Sequence, residues 1–225
     1  MSRFKKFKIN WRYTIGEFLI IVFGIIAAFQ VDTWKESYDN DKLLTEYLTD
    51  IEVGLQKDSL FYELAVKYFA QIEQEIDTTK YFLVQLENTL PPAGQKSLWD
   101  ISDWYRLYIS SAAFSDMNNS GRLNLIDNKE LRYNLIAYYQ YLDFIKLLDE
   151  EYNESLSRMQ ENLLTRWAFS EEKALKISEE DLVIVRNYLN QKQSYIRNYR
   201  KHRENCQGIN KAVRQLIETE LGESD

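Results

Sequence analysis

Cysteine, proline, glycine and histidine are all scarce in this chain of 225 residues, and each scarcity excludes something. A single cysteine, Cys206, rules out an internal disulfide, so stability in an oxidising compartment must come from packing or from a partner. Two prolines, adjacent at Pro91 and Pro92, and seven glycines leave few places where a helix must stop. His202 is the one histidine; with Cys206 four residues on it makes two metal ligands at most, too few for a site. No G-x-S-x-G, phosphate loop, dinucleotide fingerprint, H-E-x-x-H or C-x-x-C is present, so neither an enzyme nor a cofactor is expected. Excess positive charge is lacking too. The balance is −7, and five cations fall in residues 1–12, which leaves −12 for the rest and argues against nucleic acid as a partner.

What the chain does have is a long apolar run. Tyr13 to Val31, YTIGEFLIIVFGIIAAFQV, carries one charged side chain, Glu17. A bilayer core of roughly 30 Å needs about 20 such residues in a helix, and Trp11, Tyr13 and Trp34 stand where amphipathic rings anchor at the two interfaces. The expected layout is a basic cytoplasmic tail over 1–12, a transmembrane helix over 13–34 and an extracytoplasmic domain over 35–225. Orientation follows from Arg3, Lys5, Lys6, Lys8 and Arg12 before the span against Asp32, Glu36, Asp39 and Asp41 after it. A cleaved signal peptide competes with this reading, but no A-x-A site follows the apolar core. A buried amphipathic helix is disfavoured because Leu19 to Ile26 is apolar all round.

On a helical wheel Glu17, Ile21, Gly24, Ala28 and Val31 fall within about 40° of one line. Small residues four apart let helices approach closely, and an acid in the membrane prefers protein to lipid, so this face is expected to meet another span. The alternative is that Glu17 snorkels to the head groups a turn away; both readings stand. The partners implied are the lipid bilayer and either a second copy of the chain or another membrane protein.

Beyond the span the pattern predicts an all-α fold, an antiparallel bundle of long helices with coiled-coil-like seams. A polar cluster at 37–42 predicts a kink or short linker. A helix then runs to about Asn88 on Leu44, Leu48, Ile51, Leu55, Tyr62, Ala65, Phe69, Ile72, Ile76, Leu83 and Leu86, interrupted by Asp58 and Thr79 on the same line. Pro91 and Pro92 are expected to end it, and Leu98 to Ile109 to form a short helix packed under the longer ones. Ser120-Gly121 reads as a left-handed stop, Asp127 or Asn128 as the N-cap of a helix reaching about Thr165, and Ser178 with Asp181 as the start of a last helix ending at Gly222. Arg197, Arg200, Lys201 and Arg203 read as a solvated basic band paired with neighbouring acids.

Asp116 to Asp127 also matches a calcium loop of the EF-hand type, with Asp116, Asn118 and Ser120 alternating, Gly121 sixth and Asp127 twelfth. Its two carboxylates and missing second loop would make such a site weak, about 0.1 to 1 mM.

Tyr13-Thr14-Ile15-Gly16-Glu17, the run Gly24 to Ala28 through Gln30-Val31 and Trp34, and Ser120-Gly121-Arg122-Leu123-Asn124-Leu125-Ile126 with Leu131-Arg132 and Tyr138-Tyr139 carry a resemblance. The chain resembles a family of uncharacterised bacterial single-span membrane proteins, labelled as a domain of unknown function. The resemblance implies an inner-membrane protein with a periplasmic helical domain, and it transfers no activity. Three functional expectations follow: a membrane-anchored scaffold or interaction module, an extracytoplasmic sensor signalling through a partner span, and an accessory subunit of an ion-driven complex that uses Glu17.

Overall fold

The computed structural model describes residues 11–101, 108–167 and 169–222, without the side chains of Arg12, Tyr13, Thr14, Met159 and Leu164. The expected tail of residues 1–12 falls largely outside the described residues, as do Trp104 and Tyr105. The fold is all-α, as the periodicity predicts. Helix α1 covers Trp11–Gln85, α2 Pro92–Asp100, α3 Ala112–Asn119, α4 Lys129–Leu164 and α5 Glu179–Gly222. Two-residue strands β1, Thr89–Leu90, and β2, Leu175–Lys176, pair antiparallel. The chain divides into two compact units, 1–46 and 47–225.

In the first unit, the helix runs straight through 37–42, where a kink is expected. The polar residues there would cap a helix if a glycine or proline had broken it; without one, each costs only a few tenths of a kcal/mol when solvated inside a helix. Thr45 donates back to the Asp41 carbonyl at 2.9 Å, and Lys42 pairs with Glu46 at 4.0 Å, both within the helical ladder.

The second unit is built on three long helices. Asp77 meets Gln193, Glu73 meets Arg197, and Leu55 meets Asn210, so α5 runs against α1. Tyr141 meets His202, Tyr152 meets Tyr195, and Arg166 meets Asp181, so α5 also runs against α4. Helices α1 and α4 are therefore parallel, and the chain between them must travel back along the bundle. Its contacts record that return. Ser97 bonds Glu75, Ser110 bonds Asp58, and Asp116 bonds Tyr47.

Each seam residue of α1 from Leu48 to Leu83 is buried, including Asp58 and Thr79, which the sequence marks as interruptions. Leu86 is exposed because α1 has already ended. Its end is made by two left-handed residues, Glu87 at φ 47° and Asn88 at φ 65°, with Asn88 N–H returning to the Leu83 carbonyl at 3.0 Å. Pro92 does not stop α1; it opens α2, where a missing N–H and a preset φ suit the first helical position. Residues 102–107 of the expected short helix lie outside the described residues, and the short helix described begins at Pro92, six residues before the expected start at Leu98. Gly94 is required there, since a Cβ would come within 2.9 Å of Phe82. Trp99 and Tyr108 lie exposed instead of under the bundle.

Helix starts follow the caps. Asn128 Oδ1 accepts from Glu130 N–H and Leu131 N–H at 3.1 Å each, and Ser178 Oγ accepts from Asp181 N–H at 3.1 Å. Gly121, at φ 71°, supplies the left-handed turn after α3. The seams of α4 and α5 are buried along their length, and Leu156 and Leu163 of α4 share one core with Val185, Leu189, Ile196 and Tyr199 of α5. Val213 and Ile217 continue the buried face of α5 towards its end.

Candidate functional site

Two regions carry residues whose placement packing alone does not explain: the apolar stretch of α1, and a polar centre inside the bundle.

The apolar stretch reaches a mean hydropathy of 2.0 over eighteen residues, none of them buried. Glu17, Ile21, Gly24 and Ala28 lie on one exposed face, and a Cβ at Gly24 would meet nothing within 4 Å. Among the described residues, none packs on that face. Trp11 and Trp34 are 72% and 73% exposed, and the rise of a helix sets them about 35 Å apart along it. That spacing suits rings at the two edges of a hydrocarbon layer. Tyr13 lies on the helix, but its ring is outside the described side chains. By length and composition, then, the described residues include one helix able to cross a membrane.

The polar centre joins all three long helices. Asp58, 1% exposed on α1, accepts from Ser110 N–H at 2.9 Å and from the Tyr138 hydroxyl at 3.2 Å. Tyr138 and Tyr62 share a hydrogen bond of 2.8 Å, and Asn210 of α5 donates both to Tyr138 and to the Leu55 carbonyl. Burial pushes the Asp58 carboxyl above its ordinary range, while Ser110 and Tyr138 offset part of that rise. Burial also raises the Tyr62 and Tyr138 hydroxyls, so neither is a ready proton donor near neutrality.

Further along the bundle Arg203, fully buried, donates through Nη2 to Asp149 Oδ2 at 3.3 Å and lies over the Tyr199 ring, with its Cζ 4.4 Å from the centroid. This corrects one expectation: Arg197 and Arg200 do form a solvated band on Glu73 and Glu204, but Arg203 leaves it for the core. Two turns of wheel arithmetic explain the difference, because position 203 falls between Tyr199 and Cys206 on the seam. Burial lifts the Asp149 carboxyl to about 6, with Tyr195 and Arg203 pulling the other way. The Cys206 thiol is pushed up to about 11 by burial, opposed by Arg203 and Tyr62. It is a core residue and not a reactive one.

His202 Nδ1 is 2.8 Å from the Tyr141 hydroxyl, and no metal-holding cluster of His, Cys, Asp and Glu occurs among the described residues. The stretch matching a calcium loop adopts a different backbone. Asp116 to Asn119 belong to α3 and Arg122 to Leu125 form a 3-10 turn, so the alternating oxygens do not converge as a calcium loop requires. Asp116 is instead taken up by the Tyr47 hydroxyl, which also accepts from Arg122 at 2.7 Å.

No family model, curated protein or solved structure matches this chain. Its function must be argued from its own residues.

Proposed function

We propose that this chain is a membrane-anchored helical scaffold or interaction module, held by a span over 13–34 in a bacterial inner membrane. Its tail, 1–12, stays cytoplasmic, and the helical domain, 35–225, lies on the periplasmic side. The observation that carries this reading is an apolar helix exposed on every side, with Glu17, Ile21, Gly24 and Ala28 aligned on one face. Water would not tolerate so long an apolar surface, whereas lipid would. Lipid in turn disfavours Glu17, which gains from a neighbouring span that buries it beside the small residues.

Crosslinking in intact membranes, followed by gentle detergent extraction, tests the proposal. The full-length chain should be recovered with a second copy or with another membrane protein, and Gly24→Leu should reduce that yield several-fold. Recovery of monomer alone from the unsubstituted chain sinks the reading. The ion-driven alternative is separated by Glu17→Gln, since such a complex loses its function when the acid cannot ionise.

A further inference from the structure

Trp99 of α2 is 52% exposed, outside the buried seams of the bundle. It borders a cleft of about 310 Å³ together with Pro92, Gln95, Lys96, Phe169 and Glu171, a volume at the small end of ligand sites, roughly 300 to 1,000 Å³. The walls are fixed. Gln95, 2% exposed, donates to the Leu90 carbonyl at 3.1 Å and the Lys173 carbonyl at 2.7 Å while accepting from Ser170 N–H at 2.8 Å, so α2 and the bend over 170–173 are tied together. Trp99 and Phe169 meet at 74° with ring centroids 5.9 Å apart, and Trp167 backs Phe169 at 89° and 6.5 Å. Two rings near a right angle form a corner in which one group can reach both faces.

Charge decides what that group is. Lys96 is neutralised by Asp100, its ion-pair partner one turn along α2. Glu171 has no cationic partner among the described residues, and Glu172 and Lys173, which follow it on the exposed bend, cancel one another. One uncompensated negative charge therefore stands beside two ring faces, and a ring face attracts a cation within about 6 Å of its centroid. A bare ammonium is strongly hydrated and gains little from an open cleft. Methyl groups around the nitrogen spread its charge and pack on Pro92, Trp99 and Phe169. We propose that this cleft binds a quaternary ammonium group, with Trp99 and Phe169 holding the methylated nitrogen and Glu171 supplying the counter-charge. The site does not depend on what the membrane span meets. Two sources carry such a group, a free solute and a lipid head group.

The experiment titrates the full chain in maltoside micelles with choline, read by ligand-observed NMR, beside 3,3-dimethylbutan-1-ol, which keeps choline's shape with carbon in place of the charged nitrogen. Choline should bind roughly 5- to 30-fold more tightly than the alcohol. Trp99→Leu should abolish that preference, and Trp99→Phe should keep part of it, because a phenyl face attracts cations less than an indole face. Glu171→Gln changes only an exposed side chain and keeps the test independent of folding. It should weaken choline several-fold at low salt and leave the alcohol unaffected. Glycerophosphocholine separates the sources: tighter binding than choline supports a lipid head group, and weaker binding supports a free solute. An absence of choline binding overturns the proposal. Equal binding of choline and the alcohol also overturns it, as does a preference for choline that survives Trp99→Leu.

Discussion

Asp58 shows how one polar residue on an apolar seam can organise a connection. Its carboxylate holds the Ser110 N–H, while Ser110's carbonyl accepts from Tyr139 at 3.4 Å and lies where a Cβ on residue 54 would come within 3.0 Å. Gly54 is thus the gap into which the returning chain fits. Asp58→Ala would strand a buried amide, and the expected loss is about 1 to 3 kcal/mol of unfolding free energy in urea. Asp58→Asn should lose less than Asp58→Ala, because an amide oxygen can still accept from Ser110. Equal losses would mean that the bond to Ser110 contributes nothing. In the sequence Asp58 looks like a break in the pattern and Arg203 like surface charge. Both are legible only by position on the wheel, and their partners lie 80 and 54 residues away, where no local pattern points.

At the scale of elements, the sequence speaks most clearly where a helix starts. Asn128 and Ser178 are recognisable because a side-chain oxygen next to an apolar-periodic run has one common use, to satisfy the first free N–H groups. Asn128→Ala should lower stability by about 0.5 to 2 kcal/mol, read by thermal melting followed by far-UV circular dichroism, with fraying confined to the first turn of α4. The end of α1 is less legible. Glu87 and Asn88 take left-handed backbone without glycine, and what holds them there is the nearby strand pair and the Ile177 N–H bond to the Asn88 carbonyl at 2.9 Å. Polar residues at 37–42 mislead for the opposite reason: a cap signal acts only where the helix is already interrupted. The small strands are silent in the sequence, as two residues carry no period.

Across the whole molecule, the class of fold follows from scarcity of breakers and from three seams, while the direction of α4 does not. A reader of the seams would fold α1, α4 and α5 as successive hairpins. The return of residues 86 to 128 along the bundle makes α1 and α4 parallel instead, and it is fixed by Ser97, Ser110 and Asp116 in turn meeting Glu75, Asp58 and Tyr47. Of the candidate sites, the exposed face of Glu17, Ile21, Gly24 and Ala28 is fully visible in sequence because none of the described residues covers it. The polar centre is not, because it exists only once three helices come together.

The clasp of β1 with β2 has a further consequence for how the chain can be divided. Glu171 to Lys173 form an exposed bend, yet Gln95 binds both flanks of it, accepting from Ser170 N–H at 2.8 Å and donating to the Lys173 carbonyl at 2.7 Å. A chain severed between Glu171 and Glu172 keeps every α5 contact and the strand pair. Its two pieces should therefore co-elute in size-exclusion chromatography and separate only in denaturant. Two separately encoded fragments meeting at this bend would then be expected to assemble on their own, giving a split protein whose reunion could be used to report proximity.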